Sequence, residues 1–239
     1  MKALRIALIA VVLFSIFFLL NHFQNQKQAY ISITFDDGYV SQYEASKTLA
    51  SYGWRGTFYI PAGMVGGQFE GRQLMNWYQL KALQDNGHEI GCHTLNHTRA
   101  SSTSEINYDV ESFDCKKVLL DRSISVENFA YPYGDDLYKQ AGKNFVTARG
   151  TEWCINNITD TELCGIALVN SYDNENILQP FLSDLKKNGG WLVIVIHDVS
   201  ENPRPDVDLT KEQFASILEQ IKSSGIKVKT VAEVVDGKA

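Results

Sequence analysis

The chain has four cysteines, Cys92, Cys115, Cys154 and Cys164, and no two of them form a CxxC pair. Zinc-ribbon and thioredoxin-type readings therefore fail. Cys154 and Cys164 flank the polar stretch 155–163 and can close a local disulfide, or all four can remain separate thiols. No glycine-rich dinucleotide fingerprint and no P-loop follows any apolar run, which removes the common nucleotide-binding arrangements. There is no basic patch, and the formal net charge is -6, so nucleic acid is not an expected partner. Internal repeats, low-complexity segments and internal linkers are missing too.

What remains is the composition of one folded domain: 239 residues, 44% hydrophobic and 21% charged. That length can bury a substantial core. The N-terminus differs. Lys2 and Arg5 precede residues 6–20, where only Ser15 is polar. Basic-then-apolar is the layout of a secretory signal or of a short uncleaved anchor. Residues 19–23 offer no small-x-small cleavage pattern, which favours the anchor. The expected organisation is a signal or membrane anchor with a short linker over 1–28, then one domain over 29–239. Export would place that domain in an oxidising compartment, at the cell envelope or outside the cell.

Apolar runs read as strands at 29–35, 56–60, 89–92, 128–131, 144–148, 165–169, 192–196 and 227–229. Amphipathic segments at 43–51, 76–85, 104–120, 137–142, 177–187 and 211–223 read as helices, with Ser104 and Thr210 as candidate caps. Gly189 and Gly225 fall where helix C-terminal glycines belong. Alternation of this kind predicts an α/β fold with a parallel sheet, and about eight strands in one unit predict barrel-like closure.

In parallel barrels the chemistry sits at the C-terminal ends of the strands. Four polar clusters fall there. Asp36 and Asp37 end the first run, before Gly38. Side by side, two carboxylates repel and need a cation or a proton, unless they are simply a solvated Asp-Gly turn. His93 and His97 follow the run ending at Cys92. On one helical turn they would share a face and grip one ion, or they are surface or hydrogen-bonded core histidines. Two histidines and a carboxylate with open positions are a catalytic divalent-metal ligand set. His197 ends the apolar run 192–196 as a third nitrogen ligand, a proton donor or a mere cap. Asp198 beside it orients that ring or is solvated. Tyr131-Pro132-Tyr133-Gly134 is a rigid aromatic strand exit, suited to a groove wall for sugar rings or to a packed turn.

Taken in order, Thr34-Phe35-Asp36-Asp37-Gly38, His93-Thr94-x-x-His97, Tyr131-Pro132-Tyr133-Gly134 and an apolar strand ending His197-Asp198 resemble the polysaccharide deacetylases with the NodB homology domain, carbohydrate esterase family 4. Gly87-His88-Glu89-Ile90-Gly91 resembles the family as well. The resemblance implies a distorted (β/α) barrel and metal-dependent hydrolysis of acetamido groups on an amino-sugar polysaccharide or glycan. It makes Asp37, His93 and His97 the ligands of one divalent ion, zinc, or alternatively cobalt, nickel or manganese. It makes Asp36 the general base and His197 the general acid. The Tyr133 backbone N–H would hold the oxyanion, with Pro132, Tyr131 and Trp153 lining the substrate groove. Ile196 or Val195 would line the acetyl-methyl pocket.

Two departures stand out. The arginine that usually partners the catalytic aspartate is replaced by Ala130, and Arg149 either substitutes from the next strand or is a structural arginine. The family's fourth motif is unclear, with Glu152 and Trp153 nearest to it. The alternatives are O-acetyl ester hydrolysis on a xylan-like polysaccharide, and a catalytically impaired glycan-binding protein.

Overall fold

A computed structural model describes residues 27–139 and 141–237. The apolar segment 6–20 lies outside them. Among the described residues no helix is long and apolar enough to cross a membrane.

Parallel strands β1 (Ala29–Phe35), β2 (Thr57–Ile60), β5 (Glu89–Cys92), β6 (Asn128–Ala130), β7 (Thr147–Arg149), β8 (Glu162–Leu163), β9 (Ile166–Ala167), β10 (Gly190–Ile196) and β11 (Lys227–Val228) form one sheet. Its order is β8-β7-β6-β5-β2-β1-β10-β9. β10 pairs with β1 along its whole length, from Ala29↔Gly190 to Phe35↔Ile196. The other edge of β1 is shared by β2 at the C-terminal end and β11 at the N-terminal end. The two ends of the path, β8 and β9, are separated in the chain only by Cys164 and Gly165, so the sheet curls back on itself. Asn156 stitches this junction. Its Oδ1 accepts from Cys164 N at 2.9 Å, and its Nδ2 donates to Cys164 O at 3.1 Å and Trp191 O at 3.2 Å. The result is the expected distorted (β/α) barrel.

Side-chain alternation divides the sheet into two faces. Ile31, Ile33, Phe35, Phe58, Ile60, Ile90, Phe129, Leu192, Ile194 and Ile196 point outward into one apolar core. That core is covered by helices α1 (Val40–Ser51), α2 (Trp77–Asp85), α3 (Glu105–Asp121), α4 (Asn174–Asn188) and α5 (Lys211–Ser224). The opposite face carries polar residues that satisfy one another. Asn128 donates to Glu89 at 2.5 Å, Thr57 donates to the same carboxylate at 2.8 Å, Thr147 donates to Asn128 at 2.8 Å, and Trp191 donates to Ser32 at 2.9 Å. Burial raises the Glu89 carboxyl above its usual range, against the hydrogen bonds that lower it.

Ser104 and Thr210 cap α3 and α5, and Gly225 closes α5 at φ 70°. Gly189 follows α4 with φ 73°. The expected helix at 137–142 does not form. A single 3₁₀ turn, Ala141–Asn144, takes its place, and it shortens the expected strand 144–148 to β7. The sequence also gave no sign of a hairpin, β3 (Gln68–Phe69) and β4 (Arg72–Gln73), or of α6 (Val231–Val235). Cys154 pairs with Cys164, and Cys92 pairs with Cys115, joining the end of β5 to α3. The reading of four separate thiols is thereby excluded, and the second bridge was not foreseen.

Candidate active site

The two aspartates diverge at the end of β1. Asp36 directly follows β1, and its N–H still donates to Ile196 O at 3.0 Å. Asp37 enters the left-handed region at φ 75°, a conformation that costs most residues energy. Each carboxylate then meets a different partner. Arg149 Nη2 donates to Asp36 Oδ1 at 2.5 Å and Oδ2 at 2.7 Å. Arg149 has no exposed surface, so it is no surface arginine. Its β7 position lies directly across the ladder from Ala130. The guanidinium also sits 5.1 Å from the centre of the Tyr59 ring. That ring crosses Gly91, where a Cβ would come within 2.5 Å of it, so the position must stay glycine.

Asp37 faces the histidines. Its Oδ1 lies 2.9 Å from His97 Nε2 and 3.5 Å from His93 Nε2. Burial works to raise the Asp37 carboxyl, but the facing His93 and His97 rings, with His197 near, outweigh it and hold the carboxyl well below its usual range. Burial lowers the His97 imidazole, with Asp37 opposing. The histidine pair is not on a helical turn, as the spacing suggested. It spans a tight turn in which Thr94 (φ 57°) and His97 (φ 56°) are both left-handed, and Thr94 Oγ1 accepts from Thr98 N at 2.9 Å. Four of the six left-handed non-glycine residues described, Asp37, Thr94, His97 and Tyr133, belong to these rim turns. Strain of this kind concentrates at functional sites.

The three side chains suit a cation. Their ligand atoms all lie within 4.8 Å of one another. His93 Nδ1 is 2.8 Å from Ala130 O, a contact that requires Nδ1–H and leaves Nε2 bare for a metal. Asp37 Oδ1 is buried against the two ring nitrogens, and among the described residues no aligned hydrogen bond satisfies it, which is costly for a buried oxygen. A divalent ion held by Asp37, His93 and His97 would satisfy it. The donor set fits zinc and its first-row neighbours.

His197 stands half-buried at the end of β10, its Nδ1 buried without a hydrogen-bond partner among the described residues. Asp198 neither orients that ring nor lies in solvent. It accepts from Ser41 Oγ and from Arg72 Nη1 of the β3–β4 hairpin. Gln42, fully buried on α1, is a feature that sequence reasoning missed. Its Nε2 donates to the backbone oxygen of Asp36 and, at 2.6 Å, to that of His197. One amide thus fixes the spacing of both strand ends. Replacing Gln42 with Leu leaves two buried carbonyls unpaired. It is expected to cost about 1–3 kcal/mol, read as a fall of several degrees in Tm with metal content unchanged.

The remaining candidates divide. Tyr133 is left-handed at φ 62°, which turns its backbone away from the regular path of the 3₁₀ turn Pro132–Gly134. Its ring is half exposed, 4.7 Å from His97 and 3.8 Å from the Arg99 guanidinium. Pro132 is buried beneath it. Tyr131 is corrected: it is 1% exposed and packs on Phe129 in the core, so it lines no groove. Ile196 is corrected as well, because alternation turns it outward beside Phe35. Val195 takes the inward position and, with Arg149, borders Gly165. Trp153 is exposed and meets Tyr172 edge-to-face at 6.0 Å. Phe69, from the hairpin, lies 4.6 Å from His97.

The profile of the family described as polysaccharide deacetylase matches residues 23–146, more than half of the chain. The chain belongs to the polysaccharide deacetylase family. Over 89 residues it is 36% identical to a peptidoglycan-N-acetylglucosamine deacetylase of Bacillus cereus, covering 36% of this chain and 38% of that protein. A gellan lyase of a Bacillus species is 22% identical over 207 residues, 77% of this chain. The chain spans only 8% and 38% of the lengths of these two curated relatives. Among solved structures, the chitin deacetylase of Colletotrichum lindemuthianum matches at TM-score 0.59 and 18% identity, covering 87% of this chain and 88% of that one. A family 4 acetyl xylan esterase of Clostridium thermocellum, solved with cobalt, matches at 0.55 and 21%, covering 87% and 91%. Both share the fold.

At the departure from the family pattern, Ala130, the guanidinium that contacts Asp36 comes from Arg149 on the neighbouring strand. Gln42 had no sequence signal, because a buried glutamine is recognisable only once its two acceptors are known. The Cys92–Cys115 bridge carried one faint signal, a cysteine directly preceding His93.

Proposed function

We propose that this polysaccharide deacetylase family member removes N-acetyl groups from an amino-sugar polymer or glycan with the help of one divalent ion. The observation that carries the reading is the division of labour between two adjacent carboxylates, Asp37 with His93 and His97, Asp36 with Arg149. A zinc, cobalt, nickel or manganese ion at the first group would polarise the acetamide carbonyl and acidify water. Asp36, held by Arg149, takes the proton of the attacking water. The Tyr133 N–H donates to the oxygen on which charge develops. His197 gives a proton to the departing amine. Arg72 and Ser41 anchor Asp198, and Gln42 anchors the His197 carbonyl, so the acid is held in place through its backbone.

The two disulfides support an exported protein at the cell envelope or outside the cell, with 6–20 as signal or anchor. Acetate release should be measured on chitin oligomers, peptidoglycan, poly-N-acetylglucosamine and acetylated xylan. Chelation is expected to abolish it, and zinc or cobalt to restore it. Turnover that survives chelation would refute the metal mechanism. One observation favours ester hydrolysis as a second reading: among the described residues no carboxylate backs His197 Nδ1. An alcohol needs a proton on leaving less than an amine does. Preferential release from acetylated xylan would favour the esterase, and sugar binding without any acetate release would favour a non-catalytic lectin-like role.

A further inference from the structure

A cavity of about 640 Å³ lies away from the rim. It lies at the opposite end of the barrel, where β1 begins, roughly 20 Å away along the strand. Four lysines line it, Lys27, Lys186, Lys187 and Lys227, and no Asp or Glu does. The ion pairs that lysines make among the described residues lie elsewhere. In a chain of net charge -6 this is a local inversion of sign. Lys186 and Lys187 sit in the last turn of α4, where they oppose the helix dipole, and that alone would explain them. Lys27 and Lys227 belong to no helix, and the dipole does not explain why they share the cavity.

The chain enters the fold at this face. Gly190 N donates to Gln28 O at 2.8 Å, and Gly189 packs so closely on Lys27 that a Cβ there would come within 2.7 Å of the lysine's own. Residue 27 is therefore fixed at the mouth of the cavity. Leu20, the end of the apolar run, lies seven residues upstream, a reach of at most about 25 Å.

We propose that the lysine-lined face seats on an anionic phospholipid surface, with the metal-ligand rim turned away from it towards the polymer. The inference rests on residues 6–20 acting as an anchor and not on the chemistry, so its failure would leave the deacetylase reading intact. Each lysine held near an anionic surface adds about fivefold in affinity, and salt removes the gain.

The test uses the full chain with vesicles of phosphatidylcholine, alone or mixed with phosphatidylglycerol. A membrane-impermeant amine reagent is applied, and each lysine is read by mass spectrometry. Labelling at Lys27, Lys186, Lys187 and Lys227 is expected to fall severalfold on the mixed vesicles, relative to Lys81 and Lys117. It should recover at about 0.5 M salt. The double variant Lys186→Gln, Lys227→Gln should lose the protection at Lys27 and Lys187. Equal labelling on both vesicles, failure of the chain to associate with either, or the same protection from inorganic phosphate without vesicles would each overturn the proposal.

Discussion

With Asp36 replaced by Asn, acetate release is expected to fall by roughly 10²–10⁴-fold, while metal content stays at the level of the unmodified protein. Asn keeps the size of the side chain and an oxygen for Arg149, but it cannot accept the water's proton. Asp37, His93 and His97 are untouched, so a cation held by them should remain bound. His93→Ala should behave differently and lose metal and turnover together. The pair of variants separates proton transfer from metal binding, which acetate assays combined with elemental analysis can read. Retention of activity by Asp36→Asn would remove Asp36 from the role of base.

Arg149→Met should have the second large effect, and it acts on stability as well as turnover. Both Arg149 and Asp36 are buried, and the guanidinium contacts both carboxylate oxygens. Removing one partner of a buried pair leaves an uncompensated charge and costs about 3–5 kcal/mol. In a domain of this size each kcal/mol corresponds to about 2–4 °C in Tm. Arg149→Lys should recover part of the stability, since a point charge replaces the planar fork. Unchanged Tm and turnover in Arg149→Met would mean that the ion pair is incidental.

Much of this arrangement could be read in the sequence, for local reasons. β1 and β5 occupy the residues expected of them, because an apolar run stopped by Asp-Asp-Gly or by histidine is clearly punctuated. The rim residues could be read for the same reason, since each follows directly on a strand. Two-residue strands such as β3 and β4 have no period to detect. The segment 137–142 has helical spacing, but Gly142 must pack against the Tyr131 hydroxyl, and the contact of α3 with the following turn overrides local preference. Gln42 and the Cys92–Cys115 bridge depend on partners far away in the chain. The direction of Ile196 was a choice between two neighbours, and only the register with β1 decides it in favour of Val195.

The pairing of Ala130 with Arg149 has a consequence for how such proteins are sorted. A screen that asks for arginine just ahead of Tyr131-Pro132-Tyr133-Gly134 would discard this chain as dead. The two positions are rungs of one ladder, and both face the barrel interior. A guanidinium can therefore change its address along the chain while keeping its address in space. The exchange is reversible in principle: Ala130→Arg combined with Arg149→Ala should return Asp36 to the commoner partner. An intermediate carrying both arginines would let a lineage cross between the two solutions without passing through an unpaired aspartate.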